Sequence, residues 1–296
     1  MVESKGYRYL PPQMAERLRG LEIGVRRPMD GSHQGLHRSP SFGSSVEFAE
    51  YREYTAGDPI ARIDWPVYAR SDRYVIRQFH EDVSIRCHIL LDVSASMRYQ
   101  QDGPFSKMEY GCYLAAGLMY AMVQQGDTAA LMTFDDRVRQ QYEPAGTFAG
   151  LRPMLLGLEE VEPKDSGDVE AALHAAAERI DGKTLVVIIS DLLQDPDGFV
   201  RGLHHLHHDG KDVTVFHVLD PAELRLPMTG LAEVTALETR EKLTVDFRQI
   251  RQAYLEQVHR YLDQVQRGCQ EVRADYVLAE TKTEVYDAIL KRSRAV

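Results

Sequence analysis

The chain has 296 residues, 44% of them hydrophobic, which allows one large domain with a full-sized core or a domain with an extension. Its 45 acidic residues, against 35 lysines and arginines, argue against sequence-independent binding of nucleic acid, because neutralising phosphates requires clustered cations. The three cysteines, Cys87, Cys112 and Cys269, are too few and too widely spaced for a disulfide framework or a zinc knuckle. We therefore expect a globular protein of a reducing compartment that does not bind nucleic acid.

The first twenty residues contain no apolar segment of the kind found in a signal peptide. The longest purely apolar run, residues 185–189, is far too short to span a bilayer. These observations predict a cytoplasmic location without direct membrane insertion.

Residues 1–82 are predicted to form an N-terminal arm followed by an extension dense in aromatic and charged residues. The arm contains one amphipathic stretch, residues 13–23, and the extension contains two extended segments that bracket a turn at residues 57–59. We interpret the extension as a structural edge in which Trp65 and the tyrosines are buried. Its arginines would pair with its carboxylates, namely Arg52, Arg62 and Arg70 with Glu47, Asp58 and Asp64. The alternative interpretation is a docking surface for a partner protein.

Residues 83–296 are predicted to form an α/β domain, because short apolar runs alternate with amphipathic helical segments. One helix opens at Ser106 with Glu109 three residues later, the pattern of a capping box. This alternation predicts a doubly wound, mostly parallel sheet with helices on both faces and an insertion at about residues 221–270. The predicted strands cover residues 85–91, 128–134, 138–142, 184–189, 213–219, 231–238 and 276–279; the predicted helices cover 106–126, 148–158, 169–180, 199–208, 285–290 and a long segment from about residue 245.

Two of the predicted strands end at a carboxylate, Asp92 after the first and Asp191 after the second. Because the ends of parallel strands line a common crevice, we expect both carboxylates there. In the loop that begins at Asp92, oxygen side chains alternate at Asp92, Ser94 and Ser96, and an extended loop turns alternate side chains to one side. We therefore predict that this loop binds one Mg²⁺ or Mn²⁺ ion. In the alternative interpretation, the two serines cap the following helix and Asp92 hydrogen-bonds locally.

The Asp-x-Ser-x-Ser loop resembles the metal-ion-dependent adhesion site of von Willebrand factor A domains. Further motifs make the chain similar to the bacterial family known as domain of unknown function 58, from about residue 35 to the C-terminus. These motifs are Glu47-Phe48-x-Glu50-x-Arg52-x-Tyr54, Gly57-Asp58, Arg62-Ile63-Asp64-Trp65, Ala69-Arg70, Ser190-Asp191 and Asp220-Pro221-Ala222-Glu223. The resemblance implies a von Willebrand A-type fold.

The family resemblance also implies a function, that of a non-enzymatic adaptor working with a MoxR-type AAA+ ATPase in the maturation or assembly of other proteins. The ion would have an open coordination position that an acidic residue of a client protein fills. Carried over by position, Asp92, Ser94 and Ser96 are expected to be ligands, and Asp191 is expected to bind the ion directly or through water.

One position departs from the family pattern, in which a threonine before a helix completes the site. This chain has Gly167 there, so Ser166 or Asp168 is expected to supply the oxygen instead. Alternatively, Ser166 is simply the N-cap of the helix. An Asp168 ligand would add negative charge to the ion and weaken its attraction for a partner's carboxylate.

Four histidines lie close together on the predicted helix over residues 199–208: His204, His205, His207 and His208. His204 and His208 are one helical turn apart, a spacing that can bind zinc. No third ligand and no HExxH glutamate accompany them in the sequence. We therefore interpret these histidines as a solvated face rather than a native zinc site.

Metal-dependent hydrolysis is the alternative function, in which the ion at Asp92 and Asp191 would activate a water molecule. Such an enzyme also needs a base, and the candidates are Asp135, Asp136 and Asp168. Because the sequence does not clearly position any of the three for proton transfer, the adaptor is the preferred prediction.

Overall fold

The computed structural model describes residues 6–25, 34–43, 47–55, 58, 60–164, 167–235, 237 and 241–293, and only the backbone of residues 34–43, 47–50, 62 and 77–83. The chain divides into two compact units, Met1–Arg26 together with Arg86–Val296 and, separately, Arg27–Ile85. The segment predicted as an N-terminal arm is therefore shared between the units, and its first helix belongs to the larger one.

The helices and strands of the described residues are, in chain order, α1 (Pro12–Leu18), β1 (Gln34–Gly43), β2 (Glu47–Glu53), α2 (Trp65–Ser71), β3 (Val75–Val83), β4 (Arg86–Asp92), α3 (Lys107–Gln124), β5 (Thr128–Phe134), β6 (Val138–Gln141), α4 (Phe148–Glu160), α5 (Val169–Arg179), β7 (Leu185–Ser190), α6 (Pro196–His208), β8 (Asp212–Leu219), α7 (Pro221–Arg225), β9 (Leu231–Thr235), β10 (Lys242–Asp246), α8 (Phe247–Glu271), β11 (Asp275–Glu280) and α9 (Val285–Ser293). Every strand and helix predicted between residues 85 and 290 is present, with ends that differ by a few residues. Helix α3 begins with the predicted capping box of Ser106 and Glu109.

The smaller unit contains a three-stranded antiparallel sheet in the order β1-β3-β2, and the helix α2. The two predicted extended segments are β2 and β3, which pair with each other. Asp64 is the N-cap of helix α2, and its Oδ1 accepts a hydrogen bond from Val67 N at 3.2 Å. The helix ends with its C-cap, Asp72, which is in the left-handed conformation with φ 55°.

The ion pairs predicted for the smaller unit are present in part. Arg52 donates to both carboxylate oxygens of Asp58, at 2.7 and 2.8 Å. Arg70 Nε donates instead to the carbonyl oxygen of Pro66, at 3.1 Å. The side chains of Glu47 and Arg62 lie outside the described residues.

The aromatic side chains of the smaller unit are more exposed than predicted. Trp65 is 52% exposed, and Tyr51 and Tyr74 are 47% and 48% exposed. The prediction that Trp65 is buried is therefore wrong, because Trp65 stands at the first position of the short helix α2 and packs edge-on against Tyr68, with ring centroids 6.1 Å apart. These rings give the smaller unit an exposed aromatic surface.

The larger unit is built on a six-stranded sheet in the order β11-β8-β7-β4-β5-β6. All neighbouring strands are parallel except β6, which runs antiparallel to β5. The central strands β7 and β8 are buried along their whole length, as expected of parallel strands covered on both faces. This arrangement confirms the predicted mostly parallel α/β fold.

Helices cover both faces of this sheet. On one face, α5, α6 and α8 form a core with strand residues that include Leu90 of β4 and Ile188 of β7. On the other face lies α3, where a Cβ on Gly111 would be 3.0 Å from Cδ1 of Leu91. Helices α1, α4 and α9 contact α3. Because successive strand residues point to opposite faces, Leu90 and Leu91 contribute to different cores.

The segment predicted as an insertion, at about residues 221–270, connects β8 to the parallel strand β11. It contains α7, the antiparallel hairpin β9–β10 and the 25-residue helix α8. Helix α8 packs against α6 and β11, so it is the crossover helix and the hairpin is the additional element. In the described part of the chain, no helix is both long and apolar enough to cross a membrane.

Replacing Gly202 of α6 by alanine is predicted to destabilise the larger unit. A Cβ at this position would lie 2.8 Å from Cβ of Leu173 on α5, and neither atom can move without its helix. We expect the free energy of unfolding to fall by about 1–3 kcal/mol, the usual effect of overpacking. Chemical denaturation measures this change, with His204→Ala, at an exposed position of the same helix, as the control. Unchanged stability of the Gly202→Ala variant would contradict the close packing of α5 and α6.

Candidate functional site

Two buried carboxylates lie at one edge of the larger sheet, as predicted. Asp92 is the last residue of β4, Asp191 follows the last residue of β7, and the two strands are parallel neighbours. Open α/β sheets bind ligands at this edge, where the strands end. Asp92 is 2% exposed and Asp191 is 1% exposed.

Hydrogen bonds to Asp92 shape the predicted metal loop, residues 92–96. Its Oδ1 accepts from Ser94 N at 2.8 Å, and its Oδ2 accepts from Ser190 Oγ at 2.5 Å. The hydroxyl oxygens of Ser94 and Ser96 lie 3.0 Å apart. Ser94 precedes a short 3-10 turn, Ala95–Arg98, and within this described loop its hydroxyl makes no capping bond. Asp92 therefore hydrogen-bonds locally, as the alternative interpretation has it, whereas Ser94 is not a side-chain cap.

The oxygen atoms of this loop fit a small divalent cation. An octahedral Mg²⁺ ion with ligands at roughly 2.1 Å places adjacent ligands about 3 Å apart. The two serine hydroxyls are 3.0 Å apart, and hydroxyl and carboxylate oxygens are the hard donors that Mg²⁺ and Mn²⁺ prefer. Over the described ranges, no group of three or more His, Cys, Asp or Glu residues could hold a metal ion. A cation at this edge would therefore depend on Ser94 and Ser96 together with Asp92.

A buried lysine neutralises Asp191. Lys107, in the first turn of α3, has a fully buried side chain whose Nζ lies 2.7 Å from Asp191 Oδ2 and 2.8 Å from Glu223 Oε1. Burial alone would lower the pKa of this ammonium, but the charges of Asp191 and Glu223 outweigh burial and raise it. Lys107 therefore carries its charge, and Asp191 forms an ion pair with it.

Three carboxylates and one ammonium lie at this edge, so either protons on the carboxylates or a further cation must balance the charge. Burial, together with the charge of Asp191, raises the pKa of Asp92 to about 7, although hydrogen bonds from Ser190 and Ser94 oppose the shift. Burial also raises the pKa of Glu223. When all groups are ionised, the three carboxylates outnumber the single ammonium by two charges. A divalent cation near Asp92 would supply that charge.

Asp220 fixes the loop that follows the metal loop. Its carboxylate accepts backbone hydrogen bonds from Gln101, Asp102 and Gly103, at 3.0 to 3.2 Å. Burial would raise the pKa of this carboxyl, but the backbone hydrogen bonds lower it. The glycine at position 103 allows this loop to approach Asp220 and Thr281 closely, because a Cβ at Gly103 would lie 2.1 Å from Oγ1 of Thr281. The start of α7 thereby holds the chain that links the metal loop to α3.

The remaining predicted ligands lie at the start of α5. Asp168 is exposed and is the N-cap of this helix, with its Oδ1 accepting from Ala171 N at 2.9 Å. Ser166 lies outside the described residues. Since α5 begins at Val169 with Asp168 as its cap, the alternative that Ser166 is the N-cap is wrong.

Gly167 lies directly beside the metal loop. A Cβ at this position would be 3.2 Å from Cβ and 3.6 Å from Oγ of Ser94, and only 2.7 Å from Nε2 of Gln194. The amide of Gln194 is fixed because its Oε1 accepts from Val169 N at 2.7 Å. The carboxamide therefore fills the space that a side chain at position 167 would need.

The carboxylates considered as catalytic bases are engaged elsewhere. Asp135 pairs with Arg139 and accepts from Arg137 N at 3.2 Å. Asp136 is half exposed, and its Oδ1 lies 3.1 Å from Nη2 of Arg139. Together with the capping role of Asp168, these contacts give each of the three candidates a partner.

Five residues of this edge were not predicted as site residues: Lys107, Ser190, Gln194, Asp220 and Glu223. Ser190, Asp220 and Glu223 belong to motifs of the family resemblance, so the sequence marks them without giving a role. Lys107 stands in the first turn of a helix, where a lysine is usually solvated. For Gln194 the sequence gives no comparable indication.

A family model described as "Protein of unknown function DUF58" matches residues 50–263. The chain belongs to this family. The DUF58 protein is 28% identical over 233 residues to "Uncharacterized protein Rv1480" of Mycobacterium tuberculosis, an alignment that covers 74% of this chain and 69% of the relative.

Two solved structures are similar to this DUF58 protein. An aerotolerance-related membrane protein from Bacteroides fragilis is 19% identical, with a TM-score of 0.52 over 72% of this chain and 100% of that chain. The VWA domain of SpRpn10 is also similar, at 11% identity and a TM-score of 0.40, over 71% of this chain and 95% of that domain. The DUF58 protein has the predicted von Willebrand A-type fold, with its mostly parallel six-stranded sheet between two layers of helices.

Removing the buried ammonium is predicted to be strongly destabilising. Lys107→Met leaves two buried carboxylates without their cation, so we expect the free energy of unfolding to fall by about 3–5 kcal/mol. Chemical denaturation of Lys107→Met and of the exposed control Lys164→Met measures the effect. Adding Asp191→Asn to Lys107→Met should restore part of the loss. Equal stability of the two lysine variants would contradict the network.

A second prediction concerns the space beside Ser94 that the amide of Gln194 occupies. In the variant Gly167→Thr/Gln194→Ala, a hydroxyl can stand beside Ser94 without meeting the amide. We expect this variant to bind Mn²⁺ about tenfold more tightly than the wild-type chain, because affinity rises with the number of oxygen ligands. Titration calorimetry with MnCl₂ measures this, and Gly167→Ala/Gln194→Ala is the control without a hydroxyl. Equal affinities of the two double variants would show that position 167 does not face the ion.

Proposed function

We propose that this DUF58 protein is a non-enzymatic adaptor of the cytoplasm that binds other proteins through a divalent cation and works with a MoxR-type AAA+ ATPase. The cation would be Mg²⁺ or Mn²⁺, held by Asp92, Ser94 and Ser96. A client protein would offer an acidic residue to the ion.

The pair of serine hydroxyls beside Asp92 is the observation that carries this proposal. The ligands would be one carboxylate and two neutral hydroxyls whose oxygens lie 3.0 Å apart. This set would leave about half of the ion's charge uncompensated. The ion pair with Lys107 further reduces the negative charge that Asp191 can offer. Coordination positions that the protein does not fill remain for water or for an incoming carboxylate, which a poorly neutralised cation attracts.

The arrangement gives less support to hydrolysis. The three carboxylates considered as bases bind arginine or cap a helix, so their oxygens already have partners. A protein-binding role also fits the von Willebrand A-type fold. The resemblance to the family supports the ATPase partner, and the client would be a protein with an acidic residue that reaches the ion.

The variant Asp92→Asn tests the role of the ion. It removes the carboxylate charge but keeps the size of the side chain, so we expect the fold to survive and Mg²⁺-dependent binding to be lost. The measurement is a pull-down of a MoxR-type ATPase and its client with the full chain, in MgCl₂ and in excess EDTA. Asp102→Asn, an exposed carboxylate of the following loop, is the matched control and should bind like the wild-type chain.

Full capture in excess EDTA, or by the Asp92→Asn variant, would contradict the ion-dependent mechanism. Turnover of a phosphoester or peptide panel that requires Mg²⁺ and is lost in Asp92→Asn would favour the hydrolase instead. Circular dichroism of each variant separates loss of binding from loss of folding.

A further inference from the structure

Two histidines meet on the face of the larger unit formed by α5 and α6. His174 of α5 and His205 of α6 approach with their Nδ1 atoms 2.7 Å apart. Their ring centroids are 4.9 Å apart, and the ring planes are inclined by 46°. His205 belongs to the histidine group that the sequence identified, whereas His174 lies 31 residues earlier. The functional site at the metal loop uses neither residue.

This contact requires a single proton between the two rings. An imidazole nitrogen either carries a hydrogen or presents a lone pair, so one Nδ1 donates and the other accepts. Without that proton, two lone pairs would converge on the same small volume. Two convergent imidazole lone pairs are the arrangement that Zn²⁺, Ni²⁺ and Cu²⁺ bind.

Each ring also has a carboxylate near its other nitrogen. His174 Nε2 lies 3.8 Å from Glu170 Oε1, and His205 Nε2 lies 3.9 Å from Asp209 Oδ2. Metal-binding histidines commonly direct their second N–H to a carboxylate, which fixes the ring and increases its basicity. The carboxylates themselves are oriented by cations, Glu170 by Arg201 at 2.7 Å and Asp209 by Lys211 at 3.0 Å.

We propose that His174 and His205 bind a late first-row divalent metal ion, with Zn²⁺ as the test case, through their two Nδ1 atoms. The proton between the neutral rings moves to Nε2 of the histidine that carried it, and both Nδ1 lone pairs then coordinate the ion. Each Nε2 lies within 4 Å of a carboxylate oxygen, that of Glu170 at 3.8 Å or that of Asp209 at 3.9 Å. No proton leaves the pair, and water completes the coordination shell.

The geometry needs only a small adjustment. Zinc–nitrogen bonds of roughly 2.0–2.1 Å in a tetrahedral shell separate two ligand nitrogens by about 3.3 Å, so the rings must open by about 0.6 Å. The His174 and His205 side chains are 42% and 33% exposed, which leaves room for that movement and for water ligands. The contact of Gly202 with Leu173 fixes the spacing of α5 and α6, so the two histidine side chains make this movement and the helices stay in place.

Titration calorimetry of the full chain with ZnCl₂, in excess MgCl₂, tests the site. We expect one Zn²⁺ per chain. Loss of a hydrogen-bond partner of a metal ligand typically lowers metal affinity by roughly 10- to 100-fold. Loss of the ligand itself, in His174→Ala or His205→Ala, should lower zinc affinity by at least as much. His204→Ala is the matched control, because His204 is exposed on the same helix, and it should bind zinc like the wild-type chain. ZnCl₂ should also raise the Tm of the wild-type chain but not that of His205→Ala.

Unchanged zinc affinity in both His174→Ala and His205→Ala, or an equal loss in His204→Ala, would overturn the assignment. Absence of zinc binding by the wild-type chain would overturn it as well. Asp92→Asn should bind zinc normally, so failure of the zinc site and failure of the ion at the metal loop are distinguishable.

Discussion

The ammonium of Lys107 lies between two carboxylates and joins parts of the larger unit that are far apart in the chain. Lys107 belongs to the first turn of α3, Asp191 follows β7, and Glu223 lies in α7. A charge removed from water is stable only where opposite charges surround it, so the position of each of these elements constrains the other two. The metal loop is the link between β4 and α3. It therefore leads at one end into a helix that this network positions, and at the other end it follows β4, the sheet neighbour of β7.

The ion pair of Lys107 with Asp191 also determines which ligands remain for an ion at the metal loop. Because Lys107 neutralises Asp191, a cation at the loop would depend on Asp92 and the hydroxyls of Ser94 and Ser96. The nearby place at Gly167 holds no side chain and is filled by the amide of Gln194, which presents N–H groups rather than an oxygen ligand. The first feature lowers the number of anionic ligands and the second lowers the number of neutral oxygen ligands, so an ion held in this way would have capacity for an external carboxylate. The oxygen ligands of the loop and the imidazoles of His174 and His205 would select different metals.

Features that depend on a few consecutive residues could be predicted from the sequence. The apolar runs of β4 and β7, each followed by or ending at an aspartate, predicted the edge of the sheet where the two carboxylates lie. The oxygen side chains at alternate positions predicted the metal loop. Contacts between distant segments could not be predicted. Lys107 lies 116 residues from Glu223, and nothing near it in the sequence distinguishes it from a solvated lysine. The prediction that Trp65 is buried was wrong for a related reason, because the exposure of a side chain depends on its packing and not on its residue type alone.

Crystals of the DUF58 protein grown with MnCl₂ and measured near the manganese absorption edge would test the central claim most directly. We expect one anomalous peak bounded by Asp92 and the hydroxyls of Ser94 and Ser96, with Lys107 still paired to Asp191. The same crystals of Asp92→Asn should lack that peak. A loop without manganese in well-ordered wild-type crystals, or manganese bound to Asp191 with Lys107 displaced, would contradict the account.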